Sequence, residues 1–156
     1  MSEPQYVLDS SFLIKLHREQ PIELYPSLWE RISELLTSGE AVIPREADRE
    51  MQVKDDELRR WLREREAAIV ESSVEELEIV RHIAERHPAW VQGAKNAADP
   101  FIIAAASAGG AVVVTDERPS GQGTEDRNLR IPTVAAELGV ECILPTELIR
   151  RCGWRF

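Results

Sequence analysis

Acidic residues stand where the chain enters or leaves three apolar runs. Asp9 follows Tyr6-Val7-Leu8, and Asp99 precedes Pro100 and the run Phe101-Ile102-Ile103-Ala104-Ala105-Ala106. Asp116 and Glu117 follow Ala111-Val112-Val113-Val114-Thr115. Carboxylates gathered from such positions repel and raise one another's pKa, and a divalent cation resolves that conflict. The donors are hard oxygens, with no histidine cluster and no thiolate pair, so the cation is Mg²⁺ or Mn²⁺. Each acid also has a plainer reading by position alone. Asp9 ends a strand in a turn, Asp99 caps a helix N-terminus, and Asp116 and Glu117 open a polar loop.

Positioning three such segments requires a sheet. Tyr6-Val7-Leu8, Ala41-Val42-Ile43, Ala111 to Thr115 and Glu141 to Leu144 read as short strands, β-branched or apolar without alternation. Helical stretches lie between them. Phe12 to Arg18 is a short helix. Ser27 to Thr37 carries Leu28, Ile32, Leu35 and Leu36 on one face, and Gly39 closes it. Pro44 is placed to open the next helix. A charged helix is expected from Asp55 to Ile69, and Ser73-Val74-Glu75-Glu76 has capping-box spacing for a helix ending near Pro88. The run after Asp99-Pro100 is apolar on all sides and therefore buried, stopped by Gly109-Gly110. Arg118 to Arg130 reads as a mobile loop. Short helices follow at Thr133 to Leu138, ended by Gly139, and at Thr146 to Arg151. Strands alternating with helices predict a three-layer α/β/α fold with a central, mainly parallel sheet. Sites in such folds form beyond the carboxyl ends of the strands.

The chain has 156 residues, 43% apolar and 30% charged, which suits one globular domain over residues 1–156. Lys plus Arg number 19 and Asp plus Glu 28, for a net charge of −9. That excludes a uniformly basic nucleic-acid coat protein but not a nucleic-acid enzyme with a local basic patch. No apolar run approaches a membrane span. Met1 to Gln5 lacks the basic region of a signal peptide. Cys142 and Cys152 form neither a CxxC pair nor a disulfide framework, so a cytoplasmic location is expected.

The ordered set Val7-Leu8-Asp9-Ser10-Ser11, Ile43-Pro44 to Glu50-Met51, Ala98-Asp99-Pro100 with its helix, and Val113-Val114-Thr115-Asp116-Glu117 resembles the PIN-domain superfamily, which includes the VapC toxins. Ile131-Pro132-Thr133 through Gly139-Val140 resembles the last helix-strand unit of those proteins. The nearest branch is a PIN-like group of unassigned function. The resemblance covers nearly the whole chain and implies a metal-dependent endoribonuclease. In that family, acids hold one or two Mg²⁺ or Mn²⁺ ions. The first falls on Asp9, the third on Asp99, and the second on Glu50, with Glu46 one turn away as its rival. The fourth falls on Glu117 or Asp116, since this chain departs from the usual spacing after Thr. Ser11 and Thr115 match supporting positions. The resemblance also implies an RNA substrate, an antitoxin protein as partner, and a homodimer. The alternative is a catalytically idle scaffold that binds a partner protein.

Other chemistries lack their motifs. His17, His82 and His87 have no zinc spacing, Ser10 and Ser11 lack a GxSxG elbow, and neither Gly109-Gly110 nor Gly121-Gln122-Gly123 is a phosphate loop. A phosphatase-like Mg²⁺ hydrolase is disfavoured, because Asp9-Ser10-Ser11 does not fit DxDx[TV]. For contacts to RNA phosphates the candidates are Lys95, shortly before Asp99, and Arg59 and Arg63 on one helical face, where interleaved Glu57, Glu64 and Glu66 also allow an ordinary salt-bridged surface. Trp29, off the centre of its apolar stripe, and Tyr25 suit either an interface between chains or a widened core face.

Overall fold

The computed structural model describes residues 3–54 and 56–156, the side chains of residues 52–54 aside. Strands β1 (Tyr6–Leu8), β2 (Ala41–Pro44), β3 (Ile69–Val70), β4 (Val112–Val114) and β5 (Cys142–Ile143) form one sheet. Its order is β3-β2-β1-β4-β5, and every pairing is parallel. In register, Tyr6 lies opposite Ala41 and Val112, and Val7 opposite Val42 and Val113. The unbroken apolar character of these strands follows from their position, since a parallel sheet covered on both faces offers no solvated side for polar residues.

Among the described residues eight α-helices connect the strands and a ninth follows β5: α1 (Ser10–Glu19), α2 (Pro26–Ser38), α3 (Arg45–Lys54), α4 (Asp56–Arg63), α5 (Val74–Arg86), α6 (Pro88–Gln92), α7 (Asp99–Gly109), α8 (Ile131–Glu137) and α9 (Pro145–Cys152). Helix α2 buries Leu28, Ile32, Leu35 and Leu36 and stops at Gly39, whose φ of 84° suits glycine. Helix α5 begins with both bonds of a capping box between Ser73 and Glu76. Helix α7 lies across β1, β2 and β4, with α5 and α8 against it, while α2 packs on β2. Its Ile102, Ile103, Ala104 and Ala106 are buried. Helices linking β1 to β3 and those linking β3 to β5 take opposite faces, because parallel crossovers are right-handed. The result is the expected α/β/α arrangement. Among the described residues no helix is long and apolar enough to cross a membrane.

Several local expectations are corrected. Pro44 ends β2 rather than opening a helix, and α3 begins at Arg45. The helix expected from Asp55 to Ile69 is shorter. Helix α4 stops at Arg63, Glu66–Ala68 is a single 3₁₀ turn, and Ile69 enters β3 opposite Ile43. The β-branched pair Ile69-Val70 gains a buried strand edge that a helix would not give it. Helix α1 starts at Ser10, two residues early, and α6 was not anticipated.

Trp29 is a core residue, only 1% exposed, with indole Nε1 donating to the Gln20 carbonyl at 2.7 Å and its ring edge-on to Trp61. The interface role considered for it is therefore withdrawn. The segment from Arg118 to Arg130 is anchored rather than free. Trp90 Nε1 donates to the Leu129 carbonyl at 2.8 Å, and Ser120 N donates to Thr133 Oγ1 at 2.7 Å. His87 sits between Asp126 Oδ1 at 2.5 Å and Glu137 Oε1 at 2.6 Å. Burial opposes charge on that ring, but Glu137 and Asp126 outweigh it and raise its pKa above the ordinary value.

Candidate active site

The sheet order reverses between β1 and β4, since the chain runs outward through β2 and β3 before returning to β4. A crevice opens beyond the carboxyl ends of strands at such a switch point. Both strands deliver their following residues there. Asp9 N still donates to the Val114 carbonyl at 3.0 Å as the chain turns into α1, so the two exits are held together by the ladder itself.

Asp9 occupies the N-cap position of α1 but makes no side-chain cap bond. Its carboxylate is 1% exposed and accepts from the Ser11 hydroxyl and from Thr115 Oγ1, the latter at 2.7 Å. Burial and the charge of Glu50 push its pKa up against those donors. Glu50, on α3, accepts from Ser10 Oγ at 2.7 Å and from Ala98 N at 3.2 Å. These two bonds bring α3 to the starts of α1 and α7. Ser10 Oγ also lies 3.5 Å from Asp9 Oδ1, so one hydroxyl stands between two acids.

Asp99 is the first residue of α7. Ala98, not Asp99, holds the N-cap position, and no side-chain cap bond is made, which corrects the capping reading. Only 7% exposed, Asp99 has its pKa pushed up to about 9 by burial and then by Asp9, Glu117 and Glu50. Glu117 accepts from Ile131 N at 2.9 Å, and its own N–H donates to Thr115 Oγ1 at 3.1 Å. Burial, Asp9 and Glu50 raise its pKa, opposed by Ile131 N–H and Arg130. Asp9, Glu50, Asp99 and Glu117 thus form one electrostatically coupled group drawn from four segments.

Other candidates are placed elsewhere. Asp116 turns away and pairs with Lys15 Nζ at 2.9 Å, so of the two acids after Thr115 it is Glu117 that joins the cluster. Glu46 lies 3.5 Å from Ser72 Oγ and 3.9 Å from Arg49, because four residues shift it about 6 Å along the α3 axis from Glu50, toward the β3–α5 junction. Lys95 is exposed and donates to Asn128 Oδ1 at 3.2 Å. Arg63 is exposed on α4, and Arg59 buries an Nε without a hydrogen-bond partner among the described residues. Ser10 is a contributor that sequence reasoning set aside with the hydrolase elbow. Its signal was adjacency to Asp9 at the start of a helix. Arg130, whose charge reaches Glu117, had no local signal.

The cluster suits a hard cation in donor type, being carboxylate oxygen throughout. The nearby Cys142 thiol is pushed up to about 12 by burial, Asp9 and Glu117, and stays protonated. Among the described residues no group of three or more His, Cys, Asp or Glu side chains is disposed to hold a metal ion. Three of the four carboxylates are turned instead onto the hydroxyls and amides named above.

Fold and site together define a parallel α/β/α domain with a buried carboxylate cluster at its topological switch point. The chain belongs to DUF4411, a family described as a domain of unknown function, whose model matches residues 6–156. No curated protein matches it.

Proposed function

We propose that this chain is a metal-dependent endoribonuclease of the PIN type, hydrolysing RNA phosphodiester bonds. The supporting observation is the convergence of Asp9, Glu50, Asp99 and Glu117 into one coupled group, in which burial first and repulsion from the other three second push the Asp99 pKa up to about 9. Uncompensated, such a group costs stability at neutral pH, and a site that retains it is a candidate for function. Asp9, Glu50, Asp99 and Glu117 would hold Mg²⁺ or Mn²⁺. Such an ion supplies a water of lowered pKa and offsets charge on the phosphate oxygens.

The chain's own groups do the rest. The Ser11 and Thr115 hydroxyls fix the orientation of Asp9, and Ser10 and Ala98 N fix Glu50. Ile131 N–H holds Glu117 by Oε2. Asp99 has no such donor among the described residues, and a bound cation would favour its ionised form. The resemblance to VapC toxins extends the proposal to a cytoplasmic toxin with an antitoxin partner.

The test is cleavage of a labelled, mixed-sequence RNA by the full chain with Mg²⁺, Mn²⁺ or EDTA. Cleavage is expected only with metal, and Asp9→Asn and Asp99→Asn each lower it by on the order of 100-fold or more, because an amide of the same shape lacks the ligand charge. Cleavage that survives EDTA, or that both variants retain, overturns the proposal. Metal binding without cleavage of any RNA favours the idle scaffold.

A further inference from the structure

A groove of about 310 Å³ begins one residue from the acidic cluster. It runs between α1, the segment after β4 and the start of α9, and Asp116 lies in its wall. Asp116 is the residue between Thr115, which holds Asp9, and Glu117, so groove and cluster are separated by about 3.8 Å of chain. Two cations line the groove, Lys15 and the exposed Arg118. Its floor is apolar, formed by Leu16, Leu144, Pro145 and Ile149, with Gln20 and Thr146 as neutral polar groups.

The lining balances two cations, Lys15 and Arg118, against two carboxylates, Asp116 and Glu19, so it is locally less acidic than the chain as a whole. The chain carries a net charge of −9, so a polyanion approaching the cluster is repelled overall and needs a local cationic path. Lys15 spends one ammonium hydrogen on Asp116 and keeps two donors for another anion. Asp116 in turn holds the flexible lysine stem at the groove mouth. Glu19 also lines the groove and sets a limit on how far phosphate extends along α1.

Resting on the ribonuclease reading, we propose that the groove is a subsite for one nucleotide of single-stranded RNA flanking the scissile phosphate. Lys15 and Arg118 contact its phosphate, and the Leu144-Pro145-Ile149 floor receives the base. The volume is at the low end for small-ligand sites, so a base enters only when splayed from its neighbours. An A-form duplex does not offer one. The phosphate-handling cations are then Lys15 and Arg118 rather than Lys95, Arg59 and Arg63.

The experiment is equilibrium binding of a fluorescent single-stranded RNA to the full chain in EDTA, so that affinity is read without cleavage, at several salt concentrations. Cleavage in Mn²⁺ is measured in parallel. Lys15→Gln with Arg118→Gln is expected to weaken binding about 10-fold and to flatten the slope of log K against log salt by about 1.4, from ~0.7 per phosphate contact on single strands. Lys15→Arg keeps the affinity. Ile149→Trp, which fills the groove without changing charge, weakens binding and leaves the melting temperature within a few degrees. A duplex of the same sequence binds more weakly than the single strand. Unchanged affinity and salt slope in the double variant overturn the subsite while leaving the nuclease reading intact. Groove-dependent binding with no cleavage in any divalent metal supports the subsite and overturns the nuclease. Wild type that neither binds RNA in EDTA nor cleaves it in Mn²⁺ overturns both.

Discussion

Thr115 Oγ1 donates to Asp9 Oδ2 at 2.7 Å, a buried bond between residues 106 positions apart. It joins the ends of β1 and β4 side by side at the switch point. The same oxygen accepts from Glu117 N, so one hydroxyl orients a carboxylate and the backbone of a second acid. Thr115→Val keeps the shape and removes both bonds. Leaving a buried carboxylate short of a donor costs about 1–3 kcal/mol. Urea denaturation at pH 7 should show that loss, and a change under about 0.3 kcal/mol would mean Thr115 holds nothing there.

Asp99 is buried, and its pKa is pushed up to about 9. An acid with a raised folded pKa binds a proton in the native state that the unfolded chain has already released. Stability from this source is present below about pH 4, the unfolded value, and is lost as pH rises toward 9. Asp99→Asn should therefore stabilise the metal-free protein at pH 8, by on the order of 1–2 kcal/mol, and have little effect at pH 4. Thermal melts across that range decide it; a variant less stable than wild type at pH 8 contradicts the repulsion.

Millimolar Mn²⁺ or Mg²⁺ should raise the wild-type melting temperature, since the ion binds the folded cluster and not the unfolded chain. A concentration 100 times Kd corresponds to about 2.7 kcal/mol. The shift should shrink in Asp9→Ala and grow from pH 6 to pH 8 as protons compete less. Identical melts with and without metal, in both proteins, would remove the cation from the site.

His87 bridges Asp126 and Glu137, tying the α5–α6 junction to α8 and to the loop before it. Both ring nitrogens face carboxylate oxygens, so both bonds form only with the charged ring. Because its folded pKa is raised, the contribution is full below about 6.5, the unfolded value, and fades as pH climbs through the folded value. His87→Gln should cost about 1–3 kcal/mol at pH 6 and less at pH 9. A penalty that does not vary with pH would mean the ring is neutral throughout.

Trp29 is enclosed by His17 and Trp61 and bonds the Gln20 carbonyl. Trp29→Ala should cost about 3–5 kcal/mol without altering the sedimentation coefficient of whatever fraction remains folded. Loss of a dimer with undiminished stability would restore the interface role rejected above.

How much of this was written in the chain depends on the range of the interactions. Local rules were sufficient for β1, for α2 with its Gly39 stop, for the Ser73 capping box and for the buried helix after Asp99, because propensity, periodicity and capping act within a few residues. Asp9 and Asp99 stood out for the same reason, each next to an apolar run. Local rules failed where the deciding partner was distant. Ile69-Val70 continued a helical pattern until β2 offered it a ladder. Trp29 looked peripheral to its stripe until Trp61 and the Gln20 carbonyl closed around it. Glu46 and Glu50 are equivalent on a helix drawn alone, as are Asp116 and Glu117 on a strand end. Only the approach of Ser10 and Ala98 selects Glu50, and only Lys15 draws Asp116 aside. Sequence therefore determined most of the elements and the placing of acids at their ends. The tertiary structure decided which carboxylates share one point, because repulsion between charges depends on distances in space that no local pattern encodes.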